Sequence, residues 1–199
     1  MIHEVYLGII TALIGVVGTL TAIWLKYYLD RKKNNHNCII DQTIREDGEL
    51  LSKLEDVKSE LSADRISIFS FHNGGEYYAG KSMQKLSCSY EVVNLGVSRT
   101  QLDLQNIPVS ACLPTLRPLI KDKEYHCYDI KRNYPESFCK YKLIEGGVKS
   151  VYQFAIFDLN KKAIGIIRAD YVTKKVKLTN KDLETLKYLA IKLPGYLIK

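Results

Sequence analysis

Val5 to Leu25, VYLGIITALIGVVGTLTAIWL, is a run of 21 residues without a charge. At about 1.5 Å per residue, a helix of that length reaches roughly 31 Å, the thickness of a bilayer's hydrocarbon core. A secretory leader is the competing reading. Against it, residues 1–4 carry Glu4 but no Lys or Arg, the run is too long for a leader's apolar core, and no small-residue cleavage site follows. The run predicts a single membrane anchor over 1–29. Lys26, Arg31, Lys32 and Lys33 follow it, with Trp24, Tyr27 and Tyr28 at interface depth. That asymmetry predicts membrane-surface contact by the four cations. It also puts the C-terminal part in the cytoplasm and the N-terminus outside the inner membrane.

Gly8, Ala12, Gly15, Thr19 and Ala22 recur at helical spacing, a small-residue stripe of the kind that lets membrane helices approach closely. Residues 30–62 read as a polar linker, RKKNNHNC, and a connecting helix broken or started at Asp47-Gly48. Leu50, Leu54, Val57 and Leu61 form a narrow apolar seam on that helix. The seam is free either to pack on its own domain or to pair with a second copy. A homodimer through the transmembrane and connecting helices is the expectation drawn from stripe and seam together.

From Ala63 onward strands alternate with short helices. ISIFSFH is β-branched and aromatic, and NGG after it predicts a tight turn. SMQKLSCSYEVV alternates, with Gln84, Leu86, Cys88, Tyr90 and Val92 predicted to share one face. Residues 94–108 read as loop. PVSACLPTLRPLIKDK reads as a short helix or two cut by Pro114 and Pro118, followed by a strand at 125–130 and a helix ended by Gly146-Gly147. VKSVYQFAIFD and KAIGIIRADY form a hairpin, and Thr179 with Asp182 opens a last helix. The order predicts an α+β domain over 63–199, an antiparallel sheet flanked by helices.

On these residues a resemblance can be stated. GGVKSVYQFAIFDLNKKAIGIIRADY, then LTNKDLETLKYLA, resembles the C-terminal half of a GAF domain, and ADRISIF resembles a first GAF strand; together they span about 63–197. PAS-like sensor domains share much of this order. FHNGG with KSMQKLSCSYE is also similar to uncharacterised membrane-tethered proteins of tailed bacteriophages. The resemblance implies a ligand pocket between the sheet and the helical insertion, or dimerisation alone. By strand position, the residues it offers to a pocket are Phe69, Phe71, Cys88, Tyr90, Tyr152, Phe154 and Arg168, with His72 and Asn73 at the rim. Arg168 stands out because a buried arginine needs an anion or a carboxylate partner.

The chemistry that can be expected is limited. The net charge of +7 is dispersed and no nucleic-acid motif is present, so nucleic acid is not an expected partner. Cys38, Cys88, Cys112, Cys127 and Cys139 are odd in number and none are spaced as CxxC, which reads as reduced thiols. His72 has no histidine at metal spacing, so no metal site is expected. Asn180-Lys181-Asp182 matches only a fragment of the cyclic-nucleotide GAF signature. Bilin-binding GAF domains use a cysteine followed by histidine, whereas here the order is His126-Cys127. Free methionine-(R)-sulfoxide reductase, an enzymatic GAF relative, works through cysteines in stretches like those of Cys88, Cys112 and Cys139, but the flanking motifs differ. The expectation is a membrane-anchored module without catalytic residues or cofactor that senses a small ligand or binds a partner. A pure interaction scaffold acting at a host membrane and a thiol reductase are the alternatives. No kinase or cyclase segment is read, so output is expected to pass through a partner or through the membrane helix.

Overall fold

The structure is a computed structural model that describes the backbone of residues 2–198 and the side chains of residues 14–32 and 39–198. The chain divides into two units, residues 1–47 and residues 48–199.

In the first unit the described backbone, from residue 2 to residue 47, is helical, as part of helix α1 (Ile2–Glu60). The polar linker expected at 31–38 is therefore helix. So is Asp47-Gly48, which was expected to break it: a lone glycine costs a helix only about 1 kcal/mol and is tolerated. Ile14, Val16, Val17, Leu20, Ile23 and Trp24 are exposed. The Thr19 and Thr21 hydroxyls donate back to the carbonyls of Val16 and Gly18 at 2.8 and 2.9 Å. Among the described residues no helix is long and apolar enough to cross a membrane. The side chains of residues 5–13, the first part of the predicted span and of the small-residue stripe, lie outside the described residues, as does that of Lys33. Lys26, Arg31 and Lys32 are exposed.

The second unit holds one antiparallel sheet. Its strands are β1 (Arg65–Glu76), β2 (Ser82–Val93), β3 (Ile107–Pro108), β4 (Glu124–Cys127), β5 (Ser150–Phe157) and β6 (Ala163–Tyr171), in the spatial order β3-β2-β1-β6-β5-β4. Between β3 and β4 come a 3₁₀ turn (Val109–Cys112) and α2 (Leu113–Asp122). Then α3 (Ile130–Asn133) and α4 (Phe138–Glu145) lead to β5, and α5 (Asn180–Lys192) and α6 (Pro194–Leu197) close the chain. Thr179 and Asp182 cap α5 reciprocally, as the sequence predicted.

One face of the sheet carries Ile66, Ile68, Val92, Tyr152, Phe154, Ile156, Ile167, Ala169 and Tyr171. These pack against α5, against Leu50 and Leu54 from the end of α1, and against Leu61 just after it. The seam is thus consumed inside its own domain and is not free to pair with a second copy. The other face carries Phe69, Leu86, Cys88, Ala155 and Ile166 under the 3₁₀ turn, α2 and the loop around Leu104.

Two local expectations change. NGG is not the hairpin turn: β1 continues to Glu76, with a register shift between Asn73 and Glu76, and the chain reverses at Tyr77–Lys81. Gly75 takes φ +96 inside the irregular strand, while Gly80, at φ +77, serves the turn. Nor do Leu86, Cys88, Tyr90 and Val92 share a face. Ile68 pairs with Tyr90 and Phe69 with Cys88, so Ser89 is an extra, bulged residue. A bulge shifts the alternation by one position. Tyr90 and Val92 therefore join the α5 face, and Leu86 and Cys88 the opposite one.

Candidate functional site: a cavity under the helical insertion

The sheet face opposite α5 is the one with polar chemistry. On β1 it carries Ser67 and Phe69, on β5 Gln153, and on β6 Arg168 and Asp170, all buried. Strand β1 pairs with β6 in register, Ser67 against Arg168 and Arg65 against Asp170, which brings these groups together across two strands. Asp170 Oδ2 accepts from Arg65 Nε at 2.8 Å and from Arg168 Nη2 at 3.0 Å. Arg168 Nε lies 2.9 Å from Asp170 Oδ1 but is misaligned for a hydrogen bond, which leaves a strong Coulombic contact only. The guanidinium of Arg168 also sits 4.5 Å over the Phe69 ring.

Glu91 completes the cluster. Its carboxylate lies 3.8 Å from Arg65 Nε and accepts from the Thr100 backbone N–H, the Thr100 hydroxyl at 2.8 Å and the Gln101 N–H. Arg65 Nη1 donates to the Ser98 carbonyl at 3.0 Å. Two arginines thus meet two acids, and the loop after β2 is fastened to them. The cluster is charge-balanced, so Arg168 does not stand in need of an anion. Its partner is the internal carboxylate of Asp170.

Above this layer lies a cavity of about 40 Å³. Its floor is Phe69, Gln153, Ile166 and Arg168, and its roof is Thr115 and Leu116 of α2 with Phe138, Cys139, Lys142 and Leu143 of α4. Tyr134 closes one side. Burial pushes the Tyr134 phenol up, while the Thr115 hydroxyl, the Arg168 charge and Gln153 pull it the other way. Thr115, Tyr134, Gln153 and Arg168 therefore converge on one small space. The volume admits about two water molecules, whereas pockets for drug-sized ligands span about 300–1,000 Å³. A second depression, between the β5–β6 turn and α5–α6, is much wider, and its polar groups are surface charges such as Asp158, Lys161 and Lys187.

The residues expected at a pocket divide between the faces. Phe69 and Arg168 line the cavity, and Phe71 and Cys88 belong to the same cluster. Tyr90, Tyr152 and Phe154 lie on the α5 face. His72 Nε2 is 2.8 Å from the Ser87 hydroxyl, and Asn73 Oδ1 accepts from Gly75 N–H and Ser82 Oγ; both shape the end of the β1–β2 ladder and neither lines the cavity. Thr115, Tyr134 and Gln153 were missed. Gln153 had a signal, a polar residue in an otherwise apolar strand; Thr115 and Tyr134 sit in the insertion, where no periodicity marks an inward side chain.

The cysteines are not all reduced thiols. Cys112 and Cys139, 27 residues apart, form a disulfide with Cα atoms 5.5 Å apart. No spacing motif reveals this pair, because only the docking of α4 on the 3₁₀ turn brings it together. Cys88 and Cys127 are free and buried, and the side chain of Cys38 lies outside the described residues. Burial pushes the Cys88 thiol up to about 12, against a smaller pull from Arg168, which makes it a poor nucleophile. Cys127 packs with Ile130, Tyr134 and Leu143, and its neighbour His126 lies tilted against Tyr152 and Phe154 on the other face.

No protein-family model matches the chain, and no curated protein is similar to it in sequence. Solved structures do match. The PixJ GAF domain of Thermosynechococcus elongatus, in its blue-light absorbing form, superposes with a TM-score of 0.61 at 13% identity, over 78% of this chain and 86% of that one. The domain has a GAF fold. A far-red cyanobacteriochrome photoreceptor matches this GAF-like chain at TM-score 0.60 and 17% identity, over 85% of this chain and 96% of that one. A domain of a putative two-component sensor histidine kinase from Sinorhizobium meliloti reaches 0.50 at 13% identity, over 73% and 86%. GAF-like domains are typically sensory or ligand-binding modules, and these identities carry the fold alone.

Proposed function

We propose that this chain is a membrane-anchored, non-catalytic GAF-type sensory module whose cytoplasmic domain takes a small polar ligand between the sheet and the helical insertion. The observation that carries the reading is the convergence of Thr115, Tyr134, Gln153 and Arg168 on one small cavity. Its volume of about 40 Å³, room for about two waters, means that the roof helices must give way for a ligand of metabolite size to enter. The anchor is supported by the uncharged stretch 5–25, by the exposure of its apolar side chains from Ile14 to Leu25, and by the inward bonding of Thr19 and Thr21. Pairing of two chains, in this reading, falls to the membrane helix, because the seam of the connecting helix is occupied.

The test is a thermal-shift screen of the full chain in detergent against nucleotides, amino acids and tetrapyrroles. A rise in Tm that Thr115→Val or Gln153→Leu abolishes supports the ligand site. No rise with any class sinks it. The small cavity favours one other reading, an interaction scaffold, including a phage factor at a host membrane, in which the GAF fold only presents a surface. Recovery of one specific protein partner by a chain that binds no ligand would select it. Topology has its own check: a reporter fused after Lys199 should be active in the cytoplasm, and removal of residues 1–29 should release the chain from membranes.

A further inference from the structure

The disulfide ties together the two parts of the insertion that roof the cavity. Cys112 ends the 3₁₀ turn that leads directly into α2, and Cys139 lies in the first turn of α4. Helix α4 is otherwise lightly held. It has eight residues, too few to be stable alone, with an N-cap from Ser137 to the Lys140 N–H. Of its side chains, Leu143 and Lys140 are buried, while Phe138, Tyr141 and Ile144 are exposed. Lys140 bonds to exposed Glu136, only four residues back in the chain. Leu143 and the disulfide are therefore its main ties to the rest of the domain. Four of the cavity's roof residues, Phe138, Cys139, Lys142 and Leu143, ride on this one helix.

We propose that Cys112 and Cys139 are a reversible dithiol–disulfide couple, exchanging with small thiols and disulfides of the glutathione class, that clamps α4 over the cavity when oxidised and releases it when reduced. The two cysteines differ in access: Cys112 is 1% exposed, whereas Cys139 is half-buried. Oxidation therefore starts at Cys139. Its thiolate attacks one sulfur of glutathione disulfide, forming a mixed disulfide and expelling one glutathione thiolate. The Cys112 thiolate then attacks Cys139 Sγ, closing the protein bond and expelling the second. Two protons pass from the protein thiols to two glutathione thiolates, and one disulfide bond is exchanged for another. Reduction runs the same steps backwards. With the domain in the cytoplasm, as proposed above, a disulfide is ordinarily transient and redox-sensing rather than structural, which fits a clamp. That this clamp governs ligand entry rests on the cavity being the ligand site; the glutathione exchange itself does not.

The experiment uses the full chain in detergent, fully reduced and then equilibrated with mixtures of reduced and oxidised glutathione. Acid quenching, thiol alkylation and peptide mass spectrometry read the bond. Hydrogen exchange of the same samples reads the roof. The expected result is a 112–139 bond that forms and is lost again with the glutathione ratio. On reduction, amide exchange should quicken at least about tenfold in 138–145, and less in 109–122, with none in β1 and β6. Cys139→Ser should show the reduced-state exchange in either buffer; because the wild-type comparison needs no substitution, a misfolded variant would not blunt the test. Failure of glutathione disulfide to form the bond overturns the proposal, as does a bond that forms without changing exchange in α4. A ligand screen run in both states keeps the readings apart: if the clamp responds and neither state binds a ligand, the ligand site falls and the clamp stands.

Discussion

Replacing Asp170 with asparagine should be among the most damaging isosteric changes available to this domain. The side chain is fully buried, and one of its oxygens, Oδ2, accepts from two arginines, Arg65 at 2.8 Å and Arg168 at 3.0 Å. In the wild type the arginines are balanced by Asp170 and Glu91. In Asp170→Asn, shape is kept but the cluster carries one uncompensated positive charge. Removing one partner of a buried ion pair costs about 3–5 kcal/mol. An amide oxygen in the place of Oδ2 can still accept from both arginines, while the amide NH2 then faces Arg168 Nε, a donor against a donor where Oδ1 lay 2.9 Å away. The two retained bonds argue for the lower end, about 3 kcal/mol. For a domain of this size that loss lowers Tm by about 6–12 °C. Urea unfolding of the full chain at pH 7, followed by tyrosine near-UV circular dichroism, gives the free energy. The double variant Arg168→Met with Asp170→Asn supplies the control. It removes one charge of each sign, leaves Arg65 with Glu91, and should recover at least about 1 kcal/mol relative to Asp170→Asn. An Asp170→Asn protein within about 1 kcal/mol of wild type would refute the claim that this network is a closed, water-excluded balance of charge.

The close approach of β6 to β1 gives another test. At Gly165 a Cβ would run into the Phe69 carbonyl oxygen, a backbone atom that cannot move aside, so Gly165→Ala should cost about 1–3 kcal/mol by the same urea assay; a neutral alanine would mean the strands are further apart than described. Acid stability should depend on Asp64. Burial raises its pKa, but the Thr173 and Val172 N–H groups and the Thr173 hydroxyl bond to it, and the net effect holds its carboxyl below the usual carboxylate range. Its contribution is therefore complete above the unfolded value of about 3.9 and fades as pH falls through the lower folded value. The stability gap between wild type and Asp64→Asn should accordingly narrow as urea titrations are carried below about pH 4; a gap that stays constant there would show that Asp64 is not ionised in the folded protein.

Local chemistry alone determined a good deal of this protein. Alternation in ISIFSF put Ile66 and Ile68 on one face and Phe69 on the other, because strand geometry has a period of two. Thr179 and Asp182 set the start of the last helix through bonds that span three residues. The hairpin of β5 and β6 followed from two apolar strands and a short turn, and the GAF-like outline came from the resemblance those residues carry. What the sequence could not decide was long-range. Ser89 looks like any other strand residue, yet as a bulge it moves Leu86 and Cys88 to the cavity side and leaves Tyr90 and Val92 on the other, since only the pairing of two strands defines an extra residue. Asn-Gly-Gly is chemically competent for a turn or for an irregular strand, and the neighbouring strand made the choice. Arg168 announced that it needed a partner, but strand pairing supplied Asp170 and Arg65 together. Cys112 and Cys139 carry no spacing signal at all. They meet because a lightly held helix docks over a cavity, and a contact between residues 27 positions apart exists only in three dimensions.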